Sequence, residues 1–311
     1  MTQPQGEVFD LGYQRYDGPR EGRMRARKAL WTNGIRTALG ISRGARSKIM
    51  PILFFGVVMT PAVIVILMAS VLGLTEDLWG RGEYFAWIIL PIILFSAIIA
   101  PELLCPDRRD RVLHLYLVRP LTTDDYVIGR WLAFFTISLI LVYAGQLVLF
   151  LGFTLAADEP FQYLQDNWLD VPRFMAVGFL IAAFTTTIPL AVASFTPRKA
   201  YAAGFVIALF VVSSAAAAIL TECDDENRDG GEPSGECEPL TGENAKWFDL
   251  INVGFVPIAV GDLIFDEKDK SPLDVRLYDT RGGEWIVVSW YLFLVLGPAL
   301  LLLYKYRRVE I

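Results

Sequence analysis

Apolar residues gather into six long stretches, 50–74, 84–104, 131–157, 174–195, 200–220 and 285–304. None carries Lys, Arg, Asp or Glu in its interior, and Glu102 stands at the very end of the second. Each is about 20 residues or longer, and at roughly 1.5 Å per residue such a helix crosses a hydrocarbon core of about 30 Å. A soluble core helix rarely needs so much uninterrupted apolar length. The pattern predicts an all-helical membrane protein with six transmembrane helices.

Charge gives these helices a direction, because Lys and Arg resist translocation. Residues 1–49 hold ten basic residues, 105–130 five, 196–199 two and 305–311 three, while the two short segments on the other side hold only Arg81 and Arg173. Both termini are therefore expected in the cytoplasm, and the long segment 222–284, with seventeen acidic and six basic residues, outside. The net charge of −6 hides two opposed faces: twenty basic against ten acidic residues inside, eight against twenty-four outside. With the charge so divided, the overall acidity says nothing about nucleic acid, which is not expected as a partner. The first apolar stretch follows a long basic lead and reads as a retained membrane helix of the cell (inner) membrane, not a cleavable signal. The organisation read is a cytoplasmic arm, 1–49, and one six-helix domain, 50–311, that includes the external loop 222–284.

In the arm, Leu30, Trp31, Ile35, Ala38 and Leu39 recur at near-helical spacing among basic residues. This suits an amphipathic interfacial helix with its apolar face on the inner headgroup layer and its basic residues toward anionic lipid, broken in two at Asn33 and Gly34. A basic lead that only sets topology would look similar. Between the second and third stretches, Asp107 is read as the cap of a short helix with Arg108, Arg109, Asp110 and Arg111 on its first turns and apolar residues after them. Pro120 ends it, and Thr122 with Asp125 forms a capping-box start for the third membrane helix. An element with a charged end and an apolar end, held between two spans, can pass a push from a soluble partner to the membrane helices. An ordinary basic inner loop would only orient the chain.

Several chemistries are missing. There is no GxxxxGK[ST] phosphate loop, so the chain is not expected to hydrolyse ATP or to bind a cofactor of its own. No ionisable residue lies inside the six stretches, which argues against coupling through buried carboxylates. Tyr143, Gln146 and 185–187 are the main polar groups at depth, and they read either as lining of a substrate path or as helix-to-helix hydrogen bonds. His114, the sole histidine, has no nearby partner in sequence for catalysis.

The external loop contains DENRDGGEPSGE from 225 to 236, a fit to the D-x-[DN]-x-[DN]-G-x5-E pattern. Asp225, Asn227, Asp229 and Glu236 would supply side-chain oxygens and Gly231 a backbone carbonyl, hard ligands suited to Ca²⁺. Glu232 at the eighth position and Pro233 after it depart from the usual loop. Cys223 and Cys237 bracket the segment on the side where disulfides persist, and a bridge over about 15 residues contributes on the order of 3 kcal/mol. Such a bridge would staple the loop with or without a metal. Residues 248–265 are apolar but interrupted by Asn252, Gly254, Pro257, Gly261 and Asp262, a poor span and a reasonable re-entrant or surface-lying helix pair.

The run PDRRDRVLHLYLVRPLTTDDYVIGRWLA resembles the segment after the second span of ABC-2 type permeases, the membrane subunits of ATP-driven transporters. The matching positions are Asp107 and Arg108, the apolar 113–117, Arg119, Pro120, Leu121, Tyr126 and Arg130, where Lys is the commoner residue. The lead GYQRYDGPR, 12–20, and the order of six spans are similar as well. The resemblance implies an ATPase subunit dimer as partner, with ATP and Mg²⁺ bound there, and a second permease copy or a sister permease. It implies that Asp107, Arg108, Arg109, Asp110, Arg111, His114, Tyr116 and Arg119 contact the ATPase, and that short external helices cap the transport path. Export is implied by the same analogy, and the lack of buried charge points to an amphiphilic or lipid-like cargo. The rival expectation is a non-transporting scaffold or sensor with a Ca²⁺-binding external loop.

Overall fold

The computed structural model describes residues 22–41, 44–72, 82–110, 121–157, 159–221, 244–273 and 276–308. Among them, six helices are long and apolar enough to cross a membrane. They are α2 (Ala45–Leu72), α3 (Glu83–Arg109), α4 (Thr123–Ala156), α6 (Asp170–Ala193), α7 (Lys199–Thr221) and α11 (Gly283–Arg307). They match the six apolar stretches of the sequence, with the largest additions at the basic end, where α2, α3 and α4 run on by about one to two turns. The shorter elements are α1 (Arg23–Ala38) before the spans, α5 (Pro160–Asp166), and α8 (Ala245–Phe248), α9 (Val256–Phe265) and α10 (Arg276–Asp279) before α11.

The arrangement follows from how much apolar surface each helix buries. α3 and α6 bury nearly three quarters of their apolar windows, α4 half, and α2, α7 and α11 about a fifth. α3 and α6 are thus the centre, and the outer helices turn large apolar residues such as Ile64, Phe205 and Phe293 outward, as hydrocarbon solvent permits. Several polar groups at depth pair between helices. Trp131 donates its indole N–H to Thr187 at 2.9 Å, Thr186 bonds Ser138 at 3.3 Å, and the Tyr143 hydroxyl donates to the Met175 carbonyl at 2.6 Å. Of the two readings of these residues, helix-to-helix bonding describes Tyr143, Thr186 and Thr187; Thr185 bonds the Ile181 carbonyl of its own helix, and Gln146 Oε1 is buried without a partner among the described residues.

α4, at 34 residues, spans roughly 50 Å and outruns a bilayer core. Its first turns are flanked by α1, which runs as one continuous helix through Asn33 and Gly34. The expected break at Gly34 is absent because that glycine serves close packing: a Cβ there would lie 2.5 Å from that of Ala133. Gly129 likewise receives the Leu30 side chain, 2.7 Å from where its own Cβ would stand. The face expected to rest on lipid is instead covered by protein, with Leu30, Gly34 and Ala38 buried.

α3, at 27 residues, starts at a level that α2 and α4 extend past. Near its start, the Tyr84 hydroxyl reaches the Val58 carbonyl of α2 and abuts Gly145 of α4, so the last eleven to fourteen residues of those two helices extend beyond it. Of the re-entrant and surface-lying readings, the structure has the former: Ala245–Ile251 and Val256–Phe265 meet at a bend of 113° and pack beside the first turns of α3. The bend descends until Gly254 faces Ile93 and Phe210, each 3.7 Å from an added Cβ. Ile93 lies ten residues into α3, roughly 15 Å below its start. At the bend Asn252 accepts from Ser214 at 3.1 Å, and the Leu250 carbonyl accepts the Trp290 indole N–H at 2.9 Å. α9 then climbs back, and Phe265 meets Phe85 and Phe174 at 6.3 and 5.5 Å.

Gly129→Leu is expected to overpack the α1–α4 contact at a cost of about 1–3 kcal/mol. Thermal unfolding should register the loss, and limited proteolysis should cut faster at the basic residues of α1.

Candidate coupling interface

The ends of α3, α4 and α11, the turn between α6 and α7, and all of α1 meet at one basic end of the bundle, where their charged side chains cross-link them. The sequence expectation of a new helix capped by Asp107 is not met. α3 continues through Pro106 to Arg109, since proline's fixed φ is compatible with helix, and Asp107 lies in its last turn. The Asp107 carboxylate is taken up by α4 instead. Its Oδ2 accepts from Arg130 Nη2 at 2.6 Å and from the Tyr126 hydroxyl at 2.7 Å. Arg130 is only 3% exposed and Tyr126 fully buried, so this is a desolvated, charge-assisted contact. The Tyr126 ring also packs against Tyr306 of α11 at 5.6 Å and carries the Arg130 guanidinium 5.6 Å from its centre.

Around this centre the other helices are tied in. Thr122 caps α4 as the sequence indicated: its side chain accepts from the Asp125 amide while the Asp125 carboxylate accepts from the Thr122 amide. The same carboxylate takes Arg23 on Oδ2 and Arg27 on Oδ1, both at 2.7 Å, because residues four apart share one face of α1. Asp124 accepts two bonds from Arg307 of α11, at 2.8 and 2.7 Å. Lys199 pairs with Glu102 at 2.6 Å, Arg108 donates to the Ser194 carbonyl, and the buried Cys105 thiol to that of Thr196 at 3.3 Å. Lys305 stands 3.7 Å above the Phe195 ring.

Of the expected ATPase contacts, Asp107 and Arg108 are therefore engaged inside the protein. Arg109 and Asp110 pair with each other at 2.9 Å and remain exposed, their side chains 67% and 51% accessible. Arg111, His114, Tyr116 and Arg119 lie outside the described residues, as do the metal set Asp225, Asn227, Asp229, Gly231 and Glu236 and the pair Cys223 and Cys237. The sequence singles out Asp107, Tyr126 and Arg130 but not the contact among them, and it does not mark Asp124, Arg23, Arg27 or Arg307. The available signal was the Arg23/Arg27 spacing set against two consecutive aspartates at a helix start.

Asp107→Ala would leave the Arg130 guanidinium buried without its carboxylate, and a loss of about 3–5 kcal/mol is expected in thermal unfolding of the purified protein. Asp107→Leu combined with Arg130→Met, which removes both charges, should recover most of it.

The family model described as ABC-2 family transporter protein matches residues 13–230, which contain α1, five of the six spans and every residue of this interface except those on α11. No curated protein matches the chain. The match covers more than two thirds of the 311 residues and includes the Asp107, Tyr126 and Arg130 contact, so the chain belongs to the ABC-2 family of transporter membrane proteins.

Proposed function

We propose that this chain is the permease subunit of an ATP-driven exporter, that its basic end faces the cytoplasm of the cell (inner) membrane, and that a dimer of separate ATPase subunits docks there on the Arg109–Asp110 corner. The observation that carries the reading is the position of that corner. It is exposed, and it follows by two residues the half-buried Asp107 that grips the buried Arg130 and Tyr126 of α4. A displacement applied there is passed to α3 and, through the Asp107 contact, to α4, with the weaker outer pairs extending it to α1 and α11. The excess of basic residues at this end supports the orientation. A second permease, identical or a sister chain, would cover part of the outer apolar faces. The absence of charged side chains from the middle of the six spans favours an amphiphilic or lipid-like cargo.

A Ca²⁺ site on Asp225, Asn227, Asp229, Gly231 and Glu236, closed by a Cys223–Cys237 bridge, belongs to the same proposal as a stabiliser of the external loop. The D-x-N-x-D-G spacing supports it. The same spacing favours the second reading, a scaffold or sensor that binds Ca²⁺ or a partner outside and transports nothing. Co-purification separates the two: a stoichiometric soluble ATPase supports the permease, and a complex without one the scaffold.

Reversal of charge at Arg109 and Arg111 to Glu is expected to lower transport per ATP hydrolysed by at least about tenfold, equivalent to ~1.4 kcal/mol of lost coupling. Proteoliposomes with the ATPase subunits measure both rates, and unchanged coupling would remove the docking corner from this assignment. For the loop, titration of the oxidised full-length protein should reveal Ca²⁺ binding at or below about millimolar concentration, lost on Glu236→Gln. No uptake at that level would exclude the metal site.

A further inference from the structure

At the end of the bundle opposite the basic interface, the re-entrant helix returns to the start of α3 and brings two carboxylates with it. Asp262, in the last turn of α9, is 4% exposed. Its Oδ1 lies against Gly82, the residue that precedes α3: a Cβ added at Gly82 would stand 2.8 Å from that oxygen and 3.9 Å from Oε2 of Glu267. Glu267 Oε2 also accepts the Gly82 amide in a long bond of 3.5 Å. Only a residue without a side chain allows this approach. The second oxygen of Asp262, Oδ2, is buried and has no hydrogen-bond partner among the described residues.

A carboxylate oxygen that is both dry and without a donor is costly when charged, and a second carboxylate beside it adds repulsion. A proton on Asp262 removes both penalties. Burial and the neighbouring Glu267 accordingly push the Asp262 carboxyl above the ordinary carboxylate range, and a hydrogen bond from Ser271 draws it partly back. Ser271 shares a bond of 2.8 Å with the Tyr278 hydroxyl, whose own acidity burial pushes up to about 12, so the phenol keeps its proton and the carboxyl is the group that titrates. Charged groups on the neighbouring elements are Glu83, which opens α3; Asp170 and Arg173, paired at the start of α6; Asp249 and Glu284, which act on Tyr278; Asp266; Arg276 and Asp279 of α10; and Lys268, whose ammonium is bonded to Glu284. α6 turns apolar Val177 and Phe174 toward α9.

We propose that Asp262 is a proton-binding site that latches the re-entrant helix onto the start of α3. With the proton in place the Asp262–Glu267 corner seats on Gly82, as the structure has it. Without it, a dry, charged Asp262 carboxylate that lacks a donor on Oδ2 lies beside the half-buried Glu267, and the returning arm of the re-entrant pair lifts from α3. Docking raises the carboxyl's affinity for protons, so its contribution is complete at pH below the undocked carboxylate range and is lost as pH rises through the value of the docked form. The latch depends on groups at the end away from the coupling interface and holds whatever drives the spans.

The full-length protein in lipid nanodiscs tests this by hydrogen exchange of residues 83–90 and 256–273 from about pH 5 to about pH 8, with times scaled to the intrinsic exchange rate. In the wild type, protection of both segments should fall roughly tenfold or more across the range, the change given by one unit of displaced pKa. Asp262→Asn, neutral at every pH, should stay protected throughout. Infrared difference spectra over the same titration should contain a protonated-carboxyl stretch in the wild type that Asp262→Asn lacks. Glu267→Gln, which keeps Asp262 and removes the repulsion, should move the loss of protection to higher pH or abolish it, and it carries the same measurements should Asp262→Asn not be monodisperse. Wild-type protection independent of pH, no carboxyl band, or an unaltered pH profile in Glu267→Gln would each overturn the proposal.

Discussion

A single carboxylate at the end of the central helix organises the basic end of this protein. Asp107 enters a nearly dry contact and is met there by a guanidinium and a phenol from α4, both on the same oxygen. Buried ion pairs contribute little net stability over apolar replacements, but a broken one leaves a desolvated charge that costs several kcal/mol. Such a contact specifies geometry: α3 cannot slide or rotate against α4 without stranding a charge. The pairs farther out, Arg23 and Arg27 on Asp125 and Arg307 on Asp124, are half exposed at their arginines and individually weak. They extend the fixed geometry to α1 and α11, and the result is an end of the bundle built to move as a body.

The opposite end is constructed differently. α2 and α4 extend past the start of α3, and a helix pair that enters and leaves on the same side packs beside its first turns. Broken backbone is tolerated at that depth because protein covers it on every side named here: α3, α6, α7 and α11 all touch the pair. Where the basic end pairs opposite charges, this end juxtaposes like ones, Asp262 and Glu267 at the start of α3. Under the proposed function, the firm end is the one where force enters and the yielding end the one where the path opens. The two kinds of electrostatic contact divide along that line.

How far this could be read from the chain depends on the solvent each residue meets. The spans were legible because hydrocarbon excludes charge, so α2, α3, α4, α6, α7 and α11 announce themselves by what they lack. The Thr122–Asp125 cap was legible because its partners are three residues apart, and the re-entrant pair because Asn252, Gly254, Pro257 and Gly261 spoil an otherwise apolar run. Asp107 was misread as a cap for the same local reason: an aspartate after proline looks like a helix start, and nothing nearby in sequence reveals Arg130, 23 residues on, as its partner. The break expected at Gly34 failed likewise, since the glycine answers to Ala133 on another helix.

The sequence by itself determined which segments lie in the membrane, which end of the bundle is basic, and the family, because each of these is written in local composition and in motifs of contiguous residues. Only the tertiary structure decided which helices are central, that α1 is sheltered by α4, and which charges meet across helices. Those depend on pairs brought together from distant parts of the chain by packing, and packing is a property of surfaces that no single segment possesses.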